Sequence, residues 1–246
     1  MSGDTAQELR SRLRGAPGEE LIRLVRDRLP ELDVPEVRQA LRNPFVSSEV
    51  IEILLAQRQL LASYEVRRDL AAHRKTPLAH ALRLLAGLYW RDLVRIGSVA
   101  RVPPMIRRSA EKQLASRLPG LAVGEKIAVA RMGGPGAIAL LRHDPDRRVI
   151  QALLENPRLT EGSLLPLVAN ERSRPEILTL VAKDRRWGQR YPIRLAICRN
   201  SNTPYATTLS LLPSLKKSDL ALVARDPRLS PVVRRRADLL LGRAEG

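Results

Sequence analysis

Nucleophilic catalysis needs a Ser, Thr or Cys beside a base, and the chain offers three histidines for that base: His73, His80 and His143. None has a convincing partner nearby in the sequence. His73 stands in a His-Arg-Lys-Thr-Pro segment where similar segments carry Asn, which assigns it a structural role, and His80 and His143 read as solvated or capping residues. The single cysteine, Cys198, lies on an amphipathic stretch from Ile193 to Arg199 and reads as a small buried hydrophobe. One cysteine permits neither an internal disulfide nor a multi-cysteine metal site, so a reducing, cytoplasmic setting is expected, with no metal and no cofactor.

Two further features have the right residue types for chemistry but lack the rest. The Gly133-Gly134-Pro135-Gly136 loop has backbone amides that would suit a phosphate, yet no Lys-Ser or Lys-Thr follows to complete a P-loop, and a turn between helices is expected. Asp144, Asp184 and Asp226 recur 40 and 42 residues apart, which places them at helix termini rather than in an acid and base pair.

The strongest chemical signal is cationic. Lys and Arg number 43 against 26 Asp and Glu, a formal net charge of +17 that attracts nucleic acid, acidic protein or anionic lipid. Arginine pairs recur at Arg67-Arg68, Arg107-Arg108, Arg147-Arg148 and Arg185-Arg186, followed by Arg234-Arg235-Arg236, at spacings of 40, 40, 38 and 49. An architectural role competes for the arginines that directly follow an aliphatic residue, Arg38, Arg67, Arg107, Arg194 and Arg234. The candidates for partner binding are Arg68, Arg108, Arg148 and Arg235, with Arg186, Arg190, Lys216 and Lys217.

These residues need a scaffold, and the composition indicates helices. Apolar residues make up 44% of the chain but only 3% is aromatic, so the core is aliphatic, as suits helix packing. No stretch reaches the roughly 18 uncharged apolar residues of a membrane span, and residues 1 to 30 mix Arg and Glu with Leu, unlike a signal peptide. Short segments such as Val37-Arg38-Gln39-Ala40-Leu41, Val149-Ile150-Gln151-Ala152-Leu153 and Ile193-Arg194-Leu195-Ala196-Ile197 put apolar residues at i and i+4, on one helix face. After most copies comes a stop and restart, as in Asn43-Pro44-Phe45-Val46-Ser47, Asn156-Pro157-Arg158-Leu159-Thr160 and Asn200-Ser201-Asn202-Thr203-Pro204. Asn closes a helix, Ser or Thr caps the next, and Pro is welcome at its first turn.

At Asp144-Pro145-Asp146-Arg147-Arg148-Val149 the sequence resembles the HEAT-like repeats of bacterial proteins, and its Asn-Pro corners resemble the leucine-rich repeat variant family. The resemblance implies an all-α chain, an α-solenoid in which HEAT- or armadillo-like repeats of about 40 residues form a right-handed superhelix. It implies one domain over 1–246, with an N-terminal capping helix in 1–32, repeats over 33–241 and a tail at 242–246. The pattern is interrupted between Leu85 and Gly136, and about 12 to 16 helices are expected in all. A non-catalytic module that docks an acidic protein surface is the first expectation, and duplex DNA or structured RNA is the second, because few aromatic residues are present to stack on single-stranded bases. Some glycosylases of alkylated DNA bases are also built from HEAT-like repeats and use Trp, Asp and Arg, which Trp90, Asp92 and Trp187 resemble distantly.

Overall fold

A computed structural model describes residues 2–242, with the side chains of 6–242. Residues 243–246, most of the expected tail, lie outside the described residues. The described chain is all α: eighteen α-helices, three short 3-10 turns and no strand. Helix count exceeds the expected range partly because residues 2–27 hold two helices rather than one. Pro17, extended at φ −64° and ψ 163°, separates them. No described helix is long and apolar enough to cross a membrane.

Contacts divide the chain into two compact units, Met1–Pro119 and Gly120–Gly246. Unit 1 holds α1 (Ser2–Gly15), α2 (Gly18–Asp27), α3 (Val34–Arg42), α4 (Ser48–Leu55), α5 (Arg58–Ala62), α6 (Tyr64–Ala72), α7 (Leu78–Ala86), α8 (Trp90–Ser98) and α9 (Pro104–Arg117). Here α1 packs on α3, α3 on α6, α2 on α4, and α9 on both α7 and α8. Unit 2 holds α10 (Val123–Met132), α11 (Pro135–Leu141), α12 (Arg147–Leu154), α13 (Glu161–Val168), α14 (Pro175–Lys183), α15 (Tyr191–Cys198), α16 (Tyr205–Leu211), α17 (Lys217–Arg225) and α18 (Pro231–Leu240). In it α10 packs on α12, α12 on α14, α11 on α13, α13 on α15, and α18 on α16 and α17. Most packing within each unit therefore joins a helix to the next or the next but one.

The i, i+4 pattern explains which faces are inside. Val66 and Leu70 of α6, Val149 and Leu153 of α12, and Ile193 and Ile197 of α15 are fully buried, while in α3 Val37 is buried together with Ala40 and its i+4 residue Leu41 is half-buried. Burying such side chains contributes roughly 1.5–3 kcal/mol each. Helix starts are set locally. Asp33 and Glu36 form a capping box on α3, while Ser47, Thr160 and Ser230 accept from amides of α4, α13 and α18.

The corners are closed by side chains rather than by left-handed backbone, since Asn43 is extended at φ −65° and ψ 128°. The buried Asn43 amide donates to the Leu13 and Ala16 carbonyls, both at 2.9 Å, and its oxygen accepts from Phe45 N. Asn156 donates to Ala130 and Gly133, and Asn200 to Val168 and Asn170. Each corner asparagine thus ties its turn to carbonyls 23 to 32 residues earlier.

Gly133 belongs to the same fastening. A Cβ there would lie 2.5 Å from Ala137 Cβ and 2.7 Å from the Val129 carbonyl, so only glycine allows the close turn between α10 and α11.

The two units repeat one another over much of their length. Without a gap, residues 64–114 align with 191–241 at an offset of 127, and seventeen of the 51 positions are identical. The same offset carries α6 onto α15, α8 onto α17 and the start of α9 onto that of α18. Contacts repeat as well. Tyr64 OH bonds Asp92 at 2.5 Å and accepts from Tyr89 N at 2.9 Å; Tyr191 OH bonds Asp219 and accepts from Lys216 N at 3.1 Å. Thr76 donates to the Leu70 carbonyl as Thr203 does to Ile197.

Candidate functional site

Three helices of unit 1 wall a concavity of about 650 Å³. Arg38, Leu41 and Arg42 line it from α3, Arg68, Asp69 and Ala72 from α6, and Asp92, Arg95 and Ile96 from α8. The corner after α6 adds His73 and Arg74, and the segment after α8 adds Val99, Arg101 and Val102. Residues at i, i+3 and i+4 share a helix face, and here that face is the one left over once Val37, Val66 and Leu93 have entered the core. Six guanidiniums confront two carboxylates across aliphatic walls.

Asp69 organises the inner part. Its Oδ2 accepts from Arg38 Nε and its Oδ1 from Arg68 Nε, each at 2.8 Å. Arg38 also approaches Glu65 at 3.7 Å. Burial alone would raise the Asp69 pKa, but the hydrogen bonds from Arg68 and Arg38 outweigh it and hold the carboxyl below the usual range. Asp92 is occupied by Tyr64, whose own pKa is raised by burial and by that hydrogen bond. The side chains of Arg42, Arg74, Arg95 and Arg101 make no hydrogen bond or ion pair with any described residue and are exposed.

His73 does the work of the corner asparagines. Its Nδ1 accepts from Lys75 N at 3.2 Å, as Asn200 Oδ1 accepts from Asn202 N at 2.9 Å. Its ring also bonds the Leu41 backbone, the counterpart of Val168, to which Asn200 donates. Burial lowers its pKa below the ordinary value. Cys198 is buried within unit 2, where burial pushes its thiol up to about 12.

The expected binding residues are dispersed. Arg68 lines the concavity, while Arg108 is exposed on α9 and does not line it. Arg148, its side chain 69% exposed, is paired with Asp146, and the hydrogen bonds from Arg148 lower that carboxyl to about 2. Arg186 donates to the Asn156 and Leu159 carbonyls and lies 4.4 Å from the Trp187 ring. Lys216 Nζ lies 5.1 Å from the Tyr191 ring. Arg190, Lys217 and Arg235 are exposed on unit 2. Arg148 and Arg186 thus bond groups of their own unit while remaining exposed.

Arg38 ties α3 to α6 through Asp69, the architectural role expected of the arginines that follow an aliphatic residue. Arg67 instead donates to the Leu61 carbonyl at 3.0 Å, and the Nε atoms of Arg67, Arg107, Arg194 and Arg234 are buried without a hydrogen-bond partner. Asp144, Asp184 and Asp226 accept from amides two residues on, at helix ends, as expected of turn residues. Trp187 is buried and donates to the Leu154 carbonyl at 3.1 Å, which makes it part of the packing. Among the described residues no three His, Cys, Asp or Glu side chains are grouped to hold a metal ion.

Sequence reasoning missed Arg42, Arg74, Arg95 and Arg101. The signal was present in the internal repetition. Positions 38, 42, 68, 74 and 95 correspond to Leu165, Ala169, Leu195, Ser201 and Leu222, and Asp69 to Ala196. Only Arg101 keeps its type, as Arg228, which is paired with Asp226 and Glu171. No protein family, curated protein or solved structure matches the chain significantly.

Proposed function

We propose that the protein is a non-catalytic α-solenoid module, a right-handed stack of HEAT- or armadillo-like repeats, that docks an anionic partner, an acidic protein. Packing to the next and next-but-one helix within each unit, and corners fastened to earlier ones, support the solenoid reading. One observation carries the docking reading. Unit 1 gathers six arginines around one concavity, while unit 2 builds the corresponding helices with Leu, Ala and Ser at five of the six positions. Arg38 and Arg68 are held by Asp69, and the exposed Arg42, Arg74, Arg95 and Arg101 are the ones that support a binding role. A guanidinium suits carboxylate by its planar fork, and no Phe, Tyr or Trp lines the concavity to stack on a base.

The test is affinity capture on the immobilised full chain from native extract, with and without nuclease, followed by calorimetry with the purified captured species. The expected result is a protein of net negative charge that survives nuclease and whose purified form binds with strong salt dependence. Capture only of nucleic acid, removed by nuclease, would overturn the protein reading in favour of nucleic-acid binding.

A further inference from the structure

Resting on that reading, we infer that the concavity of unit 1 is the docking site and that its occupant is an extended acidic segment of the partner, with carboxylates alternating with aliphatic side chains.

The walls have both halves of this chemistry. Leu41, Ile96, Val99 and Val102 supply aliphatic surface, and Arg42, Arg74, Arg95 and Arg101 supply guanidiniums with no described carboxylate of their own. Inside the same space Asp69 already sits between Arg38 and Arg68 at 2.8 Å from each, so the concavity holds a carboxylate in the manner a partner's carboxylates would be held. The volume of about 650 Å³ falls within the range of about 300–1,000 Å³ found for ligand-sized pockets and admits a few side chains of an extended chain. A nucleic-acid duplex, by contrast, presents phosphates on a broad convex surface and would meet only the outer arginines. Aliphatic walls would then gain nothing.

The internal repetition supplies a control that keeps the fold. Arg42→Ala, Arg74→Ser and Arg95→Leu place unit 2 residues at the matching unit 1 positions. The charge-matched control is Arg190→Ala, Lys217→Ala and Arg235→Ala on unit 2. Full-length wild type and both triple variants are titrated, by fluorescence anisotropy, with a labelled peptide alternating Glu with Leu and Val, with the same peptide carrying Ser in place of Leu and Val, and with a short DNA duplex. Circular dichroism and urea midpoints verify that each variant is folded. The expected result is tightest binding of the Glu-Leu-Val peptide, about thirty-fold weaker in the concavity variant and less than about three-fold weaker in the control. Equal losses in the two variants would show attraction by net charge and end the assignment of the site. Equal binding of the Ser-substituted peptide would overturn the aliphatic part of the occupant. Loss of duplex binding in the concavity variant, with peptide binding unchanged, would make it a nucleic-acid site. These outcomes leave the docking reading standing or falling on the captured protein, whereas failure of wild type to bind any acidic protein or peptide would remove that reading itself.

Discussion

Unit 1 and unit 2 are fastened by the same parts and charged differently. Each has a tyrosine hydroxyl bonded to an aspartate on a helix two further along, a backbone amide donated to that hydroxyl, and a corner threonine closing onto a carbonyl six residues back. Residues 1–119 contain 21 Lys and Arg and residues 120–246 contain 22, so a general compositional bias towards arginine would act on both alike. What differs is placement: unit 1 collects arginine around one concavity, and unit 2 has leucine, alanine or serine at five of the six matching positions, keeping only Arg228. Shared residues report what the fold needs, and unshared ones what one unit does.

The largest effect should come from the fastening itself. In Asn156→Val, the buried carbonyls of Ala130 and Gly133 and the part-buried amide of Arg158 all lose their partner. A loss of about 3 kcal/mol is expected, read as a fall in the urea midpoint. An unchanged midpoint would mean that these corners do not hold the unit together.

A smaller effect sharpens the charge difference. Asp69 pairs with both Arg38 and Arg68, and the three corresponding positions of unit 2 hold Ala196, Leu165 and Leu195. Asp69→Ala should cost about 1 kcal/mol in the wild type, since all three side chains are partly exposed, and nearly nothing once Arg38 and Arg68 are both leucine. Additive costs in that cycle would separate Asp69 from the arginines.

His73 and Asn200 do one job with different chemistry, which makes a pH test possible. The folded pKa of His73 lies below its ordinary 6.5, so the unfolded chain takes up the proton first. Its contribution to stability is complete above about pH 6.5 and declines as pH falls below that value towards the lowered folded one. His73→Asn, which copies the unit 2 corner, should hold its midpoint better than the wild type on acidification over that window. Parallel midpoints for the two proteins from neutral pH down to pH 5 would show that His73 is not protonated against the fold.

The corners and helix faces were legible in the sequence because their chemistry is local. Asn, Thr and Pro act on backbone within a few residues, and the i, i+4 rule needs one helix only. The concavity was not legible from single segments, because Arg38, Arg68 and Arg95 lie on three helices and meet only once α3, α6 and α8 are packed. Arginine spacing near 40 drew attention to Arg108 and Arg148, whereas the stronger identity lies at 127, where Tyr64 meets Tyr191 and Asp92 meets Asp219. The carboxylate that Arg148 bonds, Asp146, is the cap of its own helix.

The smallest expected effect on stability is the most discriminating for the comparison. Arg42→Ala, Arg74→Ser and Arg95→Leu remove three exposed cations that bond no described residue, and each replacement already occupies the matching place in unit 2. Surface changes of this kind usually alter stability by no more than about 0.5 kcal/mol each. Removing like charges from one concavity relieves their mutual repulsion, so the combined variant should unfold at a midpoint equal to or slightly above that of the wild type, most visibly at low salt. Raising the salt should erase the difference, because exposed charges are screened. A clear fall in midpoint at every salt concentration would mean that these arginines hold unit 1 together, and the contrast between the units would then be one of construction rather than of binding.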